Sequence, residues 1–441
     1  MLVYSILLAT AFAIMSPLFL LRREKYAAGF KQRLGNYPNF QHDGRKVIWL
    51  HCVSVGETNA ARPLVDVLGT NFPDHRLVVS TTTKTGQELA QKIFKEKASA
   101  VVYFPFDFKF AVGRALDHFK PSVVLLMETE IWPRFIRDAK ASGAKIAIVN
   151  GRLSERSVSR YKLIRSFISR VLQDIDLALM QGSNDANRLI SLGMPAAKAI
   201  VTGNLKFDVG TTEADDATTE YLRDRFGLDD SRPLIVAAST HEPEERWILE
   251  AFCSAASGAK PLPRLLIAPR HPERFDSVAK LVEEFRTTQA NEWRPYSTAR
   301  RSESEHDTDR EADVILLDSI GELRSVYPLA DVVFVGGSLI PHGGQSVLEP
   351  AAAGAAIITG HYTHNFTDAI NVFTANQAII QLPELPPEKI VDDLFDQISD
   401  LLEDPDRRRE LGRNAAAVMK ANRGATRRTI EELRRIFPAE S

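Results

Sequence analysis

The chain has 441 residues, 44% hydrophobic and 25% charged, the proportions of a globular protein with room for two or three domains. Its 55 basic and 57 acidic side chains give a net charge of −2, so no global field draws it to nucleic acid and an anionic partner must meet a local patch. Its two cysteines, Cys52 and Cys253, lie far apart without metal-ligand spacing. That argues against a disulfide framework or a zinc site and fits a reducing compartment.

Leu2 to Leu21 carries no charged residue, and about 20 apolar residues suffice to cross a bilayer. Arg22, Arg23, Lys25, Lys31 and Arg33 follow, against the single acid Glu24. A cleavable signal has the reverse order. The expectation is a retained membrane anchor with a basic collar over residues 1–33 and everything downstream on the cytoplasmic side. A buried core helix, or a helix lying in the membrane surface, fits the same composition.

Short apolar runs then alternate with helical patterns. Strands are expected at Val47–Leu50, Leu77–Ser80, Ala100–Phe104, Pro121–Leu126, Lys145–Val149 and Leu177–Met180. One long helix is expected from Ser154 to about Leu172. The polar, turn-rich stretch Gly210–Asp216 reads as a hinge. A second series follows, with strands at Leu234–Ala238, Arg264–Ala268, Val314–Leu317, Val332–Val335 and Ala356–Ile358. Residues 300–313, dense in Arg, Ser, Glu and Asp, read as a solvated loop. The pattern predicts α/β architecture with mostly parallel sheets, in domains 34–208 and 209–441. Ligands of such sheets sit beyond the carboxyl ends of the strands, and two such halves suggest a cleft between them.

Polar clusters occupy those strand ends. In the first half, Glu57 ends His51-Cys52-Val53-Ser54-Val55-Gly56-Glu57. Partial desolvation there would make it a general base, while the plainer reading is that it complements a helix dipole. Glu128 and Glu130 flank Thr129 and suit positioning of hydroxyls, or a solvated loop. Arg152, Arg156, Arg160, Lys162 and Arg165 form a basic cluster suited to phosphate, carboxylate or an anionic membrane, or to an ordinary exposed helix face.

In the second half, Ser239-Thr240-His241-Glu242, Pro269-Arg270-His271 and Ser319-Ile320-Gly321-Glu322 follow three strands. Arg270 is fit to neutralise a phosphate. The fourth strand leads into Gly336-Gly337-Ser338, then Gly343-Gly344-Gln345-Ser346-Val347-Leu348-Glu349-Pro350. This reads as a glycine turn entering a helix near Gln345, a natural cradle for phosphate. Glu349 is placed to accept from sugar hydroxyls. Together these ends predict a nucleotide-type site, and neither GxGxxG nor GxxxxGK[ST] occurs.

The motifs at residues 51–57, 127–133, 150–154, 202–208, 269–271 and 336–351, taken together, resemble the Kdo transferases of lipopolysaccharide synthesis over nearly the whole chain. The resemblance implies a GT-B fold, two Rossmann-like domains around a cleft. It implies inverting, metal-independent transfer of 3-deoxy-D-manno-octulosonic acid (Kdo) from CMP-Kdo to a phosphorylated lipid A precursor at the inner membrane, with CMP-Kdo as donor substrate and no cofactor. Under it Glu57 is the general base, and Glu128, Glu130 and Arg152 support the acceptor or the transition state. Ser239, Thr240, Arg270, His271, Ser319, Gly321, Glu322, Gly337, Gly344, Ser346 and Glu349 bind the donor.

Two departures stand out. Gly343-Gly344-Gln345-Ser346 replaces the usual Gly-Gly-His/Gln-Asn, and Thr240-His241-Glu242-Pro243-Glu244-Glu245 replaces Thr-His-x-Gly-Glu-Glu. Another GT-B activity such as a sugar-nucleotide epimerase, or a nucleotide-binding scaffold without turnover, would share much of this pattern.

Overall fold

The computed structural model describes residues 2–21, 28–208, 215–229, 231–288 and 296–437. Two compact units divide the chain: Met1–Val209 with Asn422–Ser441, and Gly210–Ala421. Each holds a seven-stranded sheet.

In the first unit β1 (Lys46–Cys52), β2 (His75–Thr81), β3 (Ala100–Tyr103), β4 (Val123–Met127), β5 (Lys145–Gly151), β6 (Leu177–Met180) and β7 (Ala199–Val201) lie in the order β3-β2-β1-β4-β5-β6-β7. Every pairing is parallel. Such strands are covered on both faces and therefore read as continuous apolar runs. β4, Val-Val-Leu-Leu-Met, is buried throughout. One face packs Trp49, Val124 and Ile148 with Phe119 and Phe135. The other packs Leu50, Val79 and Leu125 with Leu64, Leu68 and Phe94.

The second unit arranges β8 (Leu234–Thr240), β9 (Arg264–Pro269), β10 (Thr298–Arg300), β11 (Val314–Leu316), β12 (Val332–Val335), β13 (Ala356–Thr359) and β14 (Ile380–Gln381) as β10-β11-β9-β8-β12-β13-β14. These pairings too are parallel. Strand order reverses between β1 and β4 in one unit and between β8 and β12 in the other. Beyond the carboxyl ends at such a reversal, the loops diverge to opposite faces and leave a crevice. The loops carrying Glu57 and Glu128 flank the first reversal, and those carrying Thr240 and Gly337 flank the second.

Several expectations are corrected. The last helix, Ala425–Leu433, belongs to the first unit rather than to a domain running to residue 441. Asp208 ties it down, accepting from Gly424 N–H at 2.8 Å and Thr426 N–H at 2.6 Å. Most of the expected hinge, residues 210–214, lies outside the described residues.

Leu2–Leu21 is helical, but among the described residues no helix is long and apolar enough to cross a membrane. A spanning anchor is therefore not supported. This helix rests on the first unit instead. Tyr4 stacks on Phe167 at 5.8 Å and donates to Asp107 at 2.7 Å, and Phe12 meets Phe106 and Phe108 edge-on at 5.3 and 5.6 Å.

Of the basic collar, Arg22, Arg23 and Lys25 lie outside the described residues. Arg33 is not a collar residue: its guanidinium covers the Tyr103 ring at 4.7 Å and donates to the Ala28 and Thr82 carbonyls. The helix expected from 154 to 172 is two helices, Glu155–Lys162 and Arg165–Gln173, with Leu163 and Ile164 exposed at the break. Residues 300–313 are not simply solvated. The buried Arg225 and Arg264 side chains hold the carbonyls of Arg301, Glu303 and Ala312 at 2.9, 2.9 and 2.7 Å.

Candidate active site

After β1 the chain turns through Val53 and Ser54 into the helix Val55–Ala60. Ser54 Oγ accepts from Glu57 N–H at 3.5 Å, and the Glu57 carboxyl reaches back to Val53 N–H at 2.8 Å and Ser54 Oγ at 3.2 Å. This reciprocal cap satisfies donors that a helix start leaves open. The helix-start reading of Glu57 is thus met, and the same bonds hold its carboxyl rigid. Each carboxylate oxygen still has a second lone pair for a substrate proton.

Glu57 is only 7% exposed. Burial pushes its pKa up to about 8; the Val53 N–H opposes the rise, while the charges of Glu128 and Glu130 add to it. Three separately predicted acids thus share one neighbourhood. Burial, then Glu128, also raises Glu130.

Glu128 follows β4 in the left-handed region, φ 52°. Such backbone in a non-glycine residue costs on the order of 1–3 kcal/mol and clusters at working sites. Thr129 Oγ1 accepts from Arg152 N–H at 2.9 Å and donates to the Arg152 carbonyl at 2.5 Å, so the loops after β4 and β5 are stitched together. Arg152, Arg156, Arg160, Lys162 and Arg165 are all exposed.

Two contributors were missed in the sequence. Lys206 Nζ lies 3.6 Å from Glu128 Oε1. Its short turn is held by Asn150 Oδ1, which accepts from Leu205 N–H at 2.9 Å, and by Asn204 Oδ1, which accepts from Lys206 N–H at 3.0 Å. The signal available was the motif at residues 202–208, in which Lys206 was given no role. The loop after β2 also buttresses Glu57: Thr82 and Thr83 N–H donate to the Val53 carbonyl at 3.2 and 3.1 Å.

In the second unit Glu244 organises the glycine turn. Its buried carboxylate accepts from Gly337, Ser338 and Leu339 N–H at 2.7, 3.0 and 3.0 Å, and from His241 N–H at 2.9 Å. Burial raises its pKa against these four donors. An internal carboxylate thus takes the N–H groups of the first half of the turn that was expected to cradle a phosphate. The following helix also starts later than expected, spanning Leu348–Ala353. Gly336 must lack a side chain, since a Cβ would stand 2.7 Å from the Ser239 carbonyl and Thr240 Cα. Gly337 and Gly344 are joined, Gly344 N–H to the Gly337 carbonyl at 2.7 Å.

Ser239, at φ 54°, and Thr240 end β8, and the Thr240 carbonyl accepts from Arg270 N–H at 3.0 Å. Arg270 and His271 are exposed beside them. Ser346 Oγ accepts weakly from Leu348 N–H at 3.4 Å. Glu349 is paired with Arg324 at 2.7 Å, and Glu322 with Arg301 at 2.6 and 2.9 Å. Ser319 donates to Glu322, and Gly321 beside them has φ 95°. A further strand-end loop went unread. Residues 360–366, after β13, brace the glycine turn through Gly360 N–H to Ser338 Oγ at 2.8 Å and Asn365 N–H to the Gly343 carbonyl at 3.0 Å.

The family model for 3-deoxy-D-manno-octulosonic-acid transferase (kdotransferase) matches residues 28–209. The chain is 33% identical over 410 residues to a 3-deoxy-D-manno-octulosonic acid transferase of Haemophilus influenzae, covering 93% of this chain and 92% of that protein. It is 34% identical over 393 residues to one of Bordetella pertussis, covering 88% and 86%. In fold it is similar to UDP-GlcNAc 2-epimerase from Neisseria meningitidis, at TM-score 0.53 and 14% identity over 88% of this chain and all of that one. That likeness is one of fold and accords with two parallel-sheet α/β units of the GT-B kind. Identity of 33% and 34% along most of both chains shows that the chain belongs to the 3-deoxy-D-manno-octulosonic acid transferase family of glycosyltransferases.

Proposed function

We propose that the protein transfers Kdo from CMP-Kdo to a lipid A precursor by direct, inverting displacement without a metal ion, with Glu57 as general base. Glu57 takes the proton of the acceptor hydroxyl as that oxygen bonds to the anomeric carbon. The bond from that carbon to the phosphate oxygen breaks, and its electron pair leaves with CMP. One displacement inverts the centre. The observation that carries this reading is the Glu57 carboxyl itself: buried, fixed by Val53 and Ser54, and raised to about 8, where a base matches the working pH. Glu128, Glu130, Arg152 and Lys206 are assigned to the acceptor side.

The donor is assigned to the second unit. Arg270, His271, Thr240, Ser239, Gly337, Gly344 and Ser346 surround the phosphate and sugar. Glu349 takes the ribose, and Ser319, Gly321 and Glu322 take the base. Arg270 and the strand-end groups stabilise the charge that develops on the phosphate.

The lipid acceptor fits a protein that lies on the inner membrane's cytoplasmic face. Exposed Leu163 and Ile164, between Arg160, Lys162 and Arg165, and exposed Ile6, Leu7 and Ile14 are the combination that binds anionic membranes in the plane of the interface. Replacing Arg160, Lys162 and Arg165 by Glu is expected to release the protein from anionic vesicles. Unchanged binding removes this surface from the account.

The activity is tested with CMP-Kdo generated in situ and a lipid A precursor, followed by product mass. The expected product gains Kdo; free Kdo without a lipid product contradicts the acceptor assignment.

A further inference from the structure

Three imidazoles from three different strand-end loops meet in the second unit. The His241 ring, after β8, lies 4.2 Å from His342, in the glycine turn after β12, and 5.2 Å from His271, after β9. They gather at the strand reversal, where a doubly wound sheet binds its ligand. His241 is buried, whereas His271 and His342 are exposed.

The neighbours of this cluster define its electrostatics. Arg270 and Arg274, from the β9 loop, both act on His241. His364, from the loop after β13, reaches the backbone at Gly343, where an added Cβ would stand 2.7 Å from its Nε2. Asn365 Nδ2 donates to the His342 carbonyl at 3.1 Å. Gln345 Nε2 lies 3.3 Å from His241 Nε2, which leaves His241 Nε2 the acceptor in that contact.

The nearby acids are accounted for. Glu244 is taken by four N–H groups. Glu245 is bonded to Arg274 at 2.5 and 3.2 Å, and Glu242 is turned to solvent 3.9 Å from Arg274. Among the described residues no group of three His, Cys, Asp or Glu side chains is arranged to hold a metal ion. What remains is a seat with many cationic or protonatable groups and their carboxylates otherwise engaged.

We propose that the His241–His271–His342 cluster seats the donor's phosphate, and that this anion binds with uptake of a proton from solvent onto His342. The inference rests on assigning the donor to this unit and adds the group that takes the leaving charge. Arg270 and Arg274 already crowd His241 with positive charge, and like charges suppress protonation. A phosphate reverses that balance, so binding and protonation favour each other. His241 stays neutral beneath: burial, then the cations around it, pushes its pKa down to about 4. Affinity is therefore greatest at low pH and declines as pH rises.

Calorimetric titration of the full chain with CMP, at one near-neutral pH in PIPES and in Tris, reads proton uptake as the difference between the two heats. The wild-type chain is expected to show uptake. His342→Gln is expected to lose it and weaken CMP binding about tenfold, the size of one charge-assisted hydrogen bond. His342→Arg is expected to retain affinity without uptake. Failure of the wild type to bind CMP overturns the donor assignment itself. CMP binding with equal heats in both buffers, or with uptake undiminished in His342→Gln, overturns this inference alone.

Discussion

Lys206 Nζ stands 3.6 Å from Glu128 Oε1, both side chains about a quarter exposed. The pair joins two loops that the sequence keeps far apart. It also places a cation paired with Glu128 within the neighbourhood whose negative charges raise Glu57. Lys206→Met removes that cation and leaves Glu128 less compensated. The expected result is a further rise of the Glu57 pKa and a fall in transfer at neutral pH of about tenfold, since one pKa unit is a factor of ten in the ionised fraction. A pH–rate profile checks it: a merely structural lysine would lower the rate without moving the profile.

Glu244 carries a different burden. Four N–H groups converge on it, three from the glycine turn. Glu244→Ala leaves these donors buried and unmade, at about 2–4 kcal/mol in total. Thermal unfolding of the variant should begin in the second unit, with CMP affinity lost well below the melting temperature. A variant with wild-type stability would show that the turn holds its shape without the carboxylate.

Asp208 closes the chain's return to the first unit by capping the helix Ala425–Leu433 at its start. Asp208→Ala should cost about 1–2 kcal/mol, the range of a lost helix cap. Amide exchange should speed up in residues 425–433 before it changes in β1 or β4. Exchange unchanged in that helix would mean that Arg428, which donates to the Thr202 carbonyl at 2.8 Å, suffices to dock it.

The sheet was legible because parallel strands are apolar on both faces. β6 and β12 match their expected limits, while β7, β10 and β14, with two or three residues each, are too short to announce themselves. The acids of the first unit were legible as strand-end residues, and their gathering is a consequence of the strand reversal. What composition concealed was the fate of charges. Arg33 read as a collar residue and Arg264 as the start of a strand, yet their guanidinium groups are spent on aromatic rings and backbone carbonyls. Glu244 was given no role, yet its carboxylate holds the first half of the glycine turn. Lys206 lay within a recognised motif, residues 202–208, but only the fold brings it to Glu128.

The central claim is that Glu57 removes the acceptor's proton. Its reactive form is the carboxylate, and its pKa is raised to about 8. Below that pH the protonated, inactive form predominates, so activity must climb as pH rises and level off above it. The most direct measurement is kcat/KM for Kdo transfer between pH 6 and 9, for wild type and Glu57→Gln, with CMP affinity measured alongside. The account predicts a limb rising about tenfold per pH unit toward a plateau near pH 8. It predicts loss of that limb and of about 10²–10⁴-fold in rate in the variant, with CMP affinity retained. A flat wild-type profile, or a Glu57→Gln enzyme transferring near the wild-type rate, would contradict it.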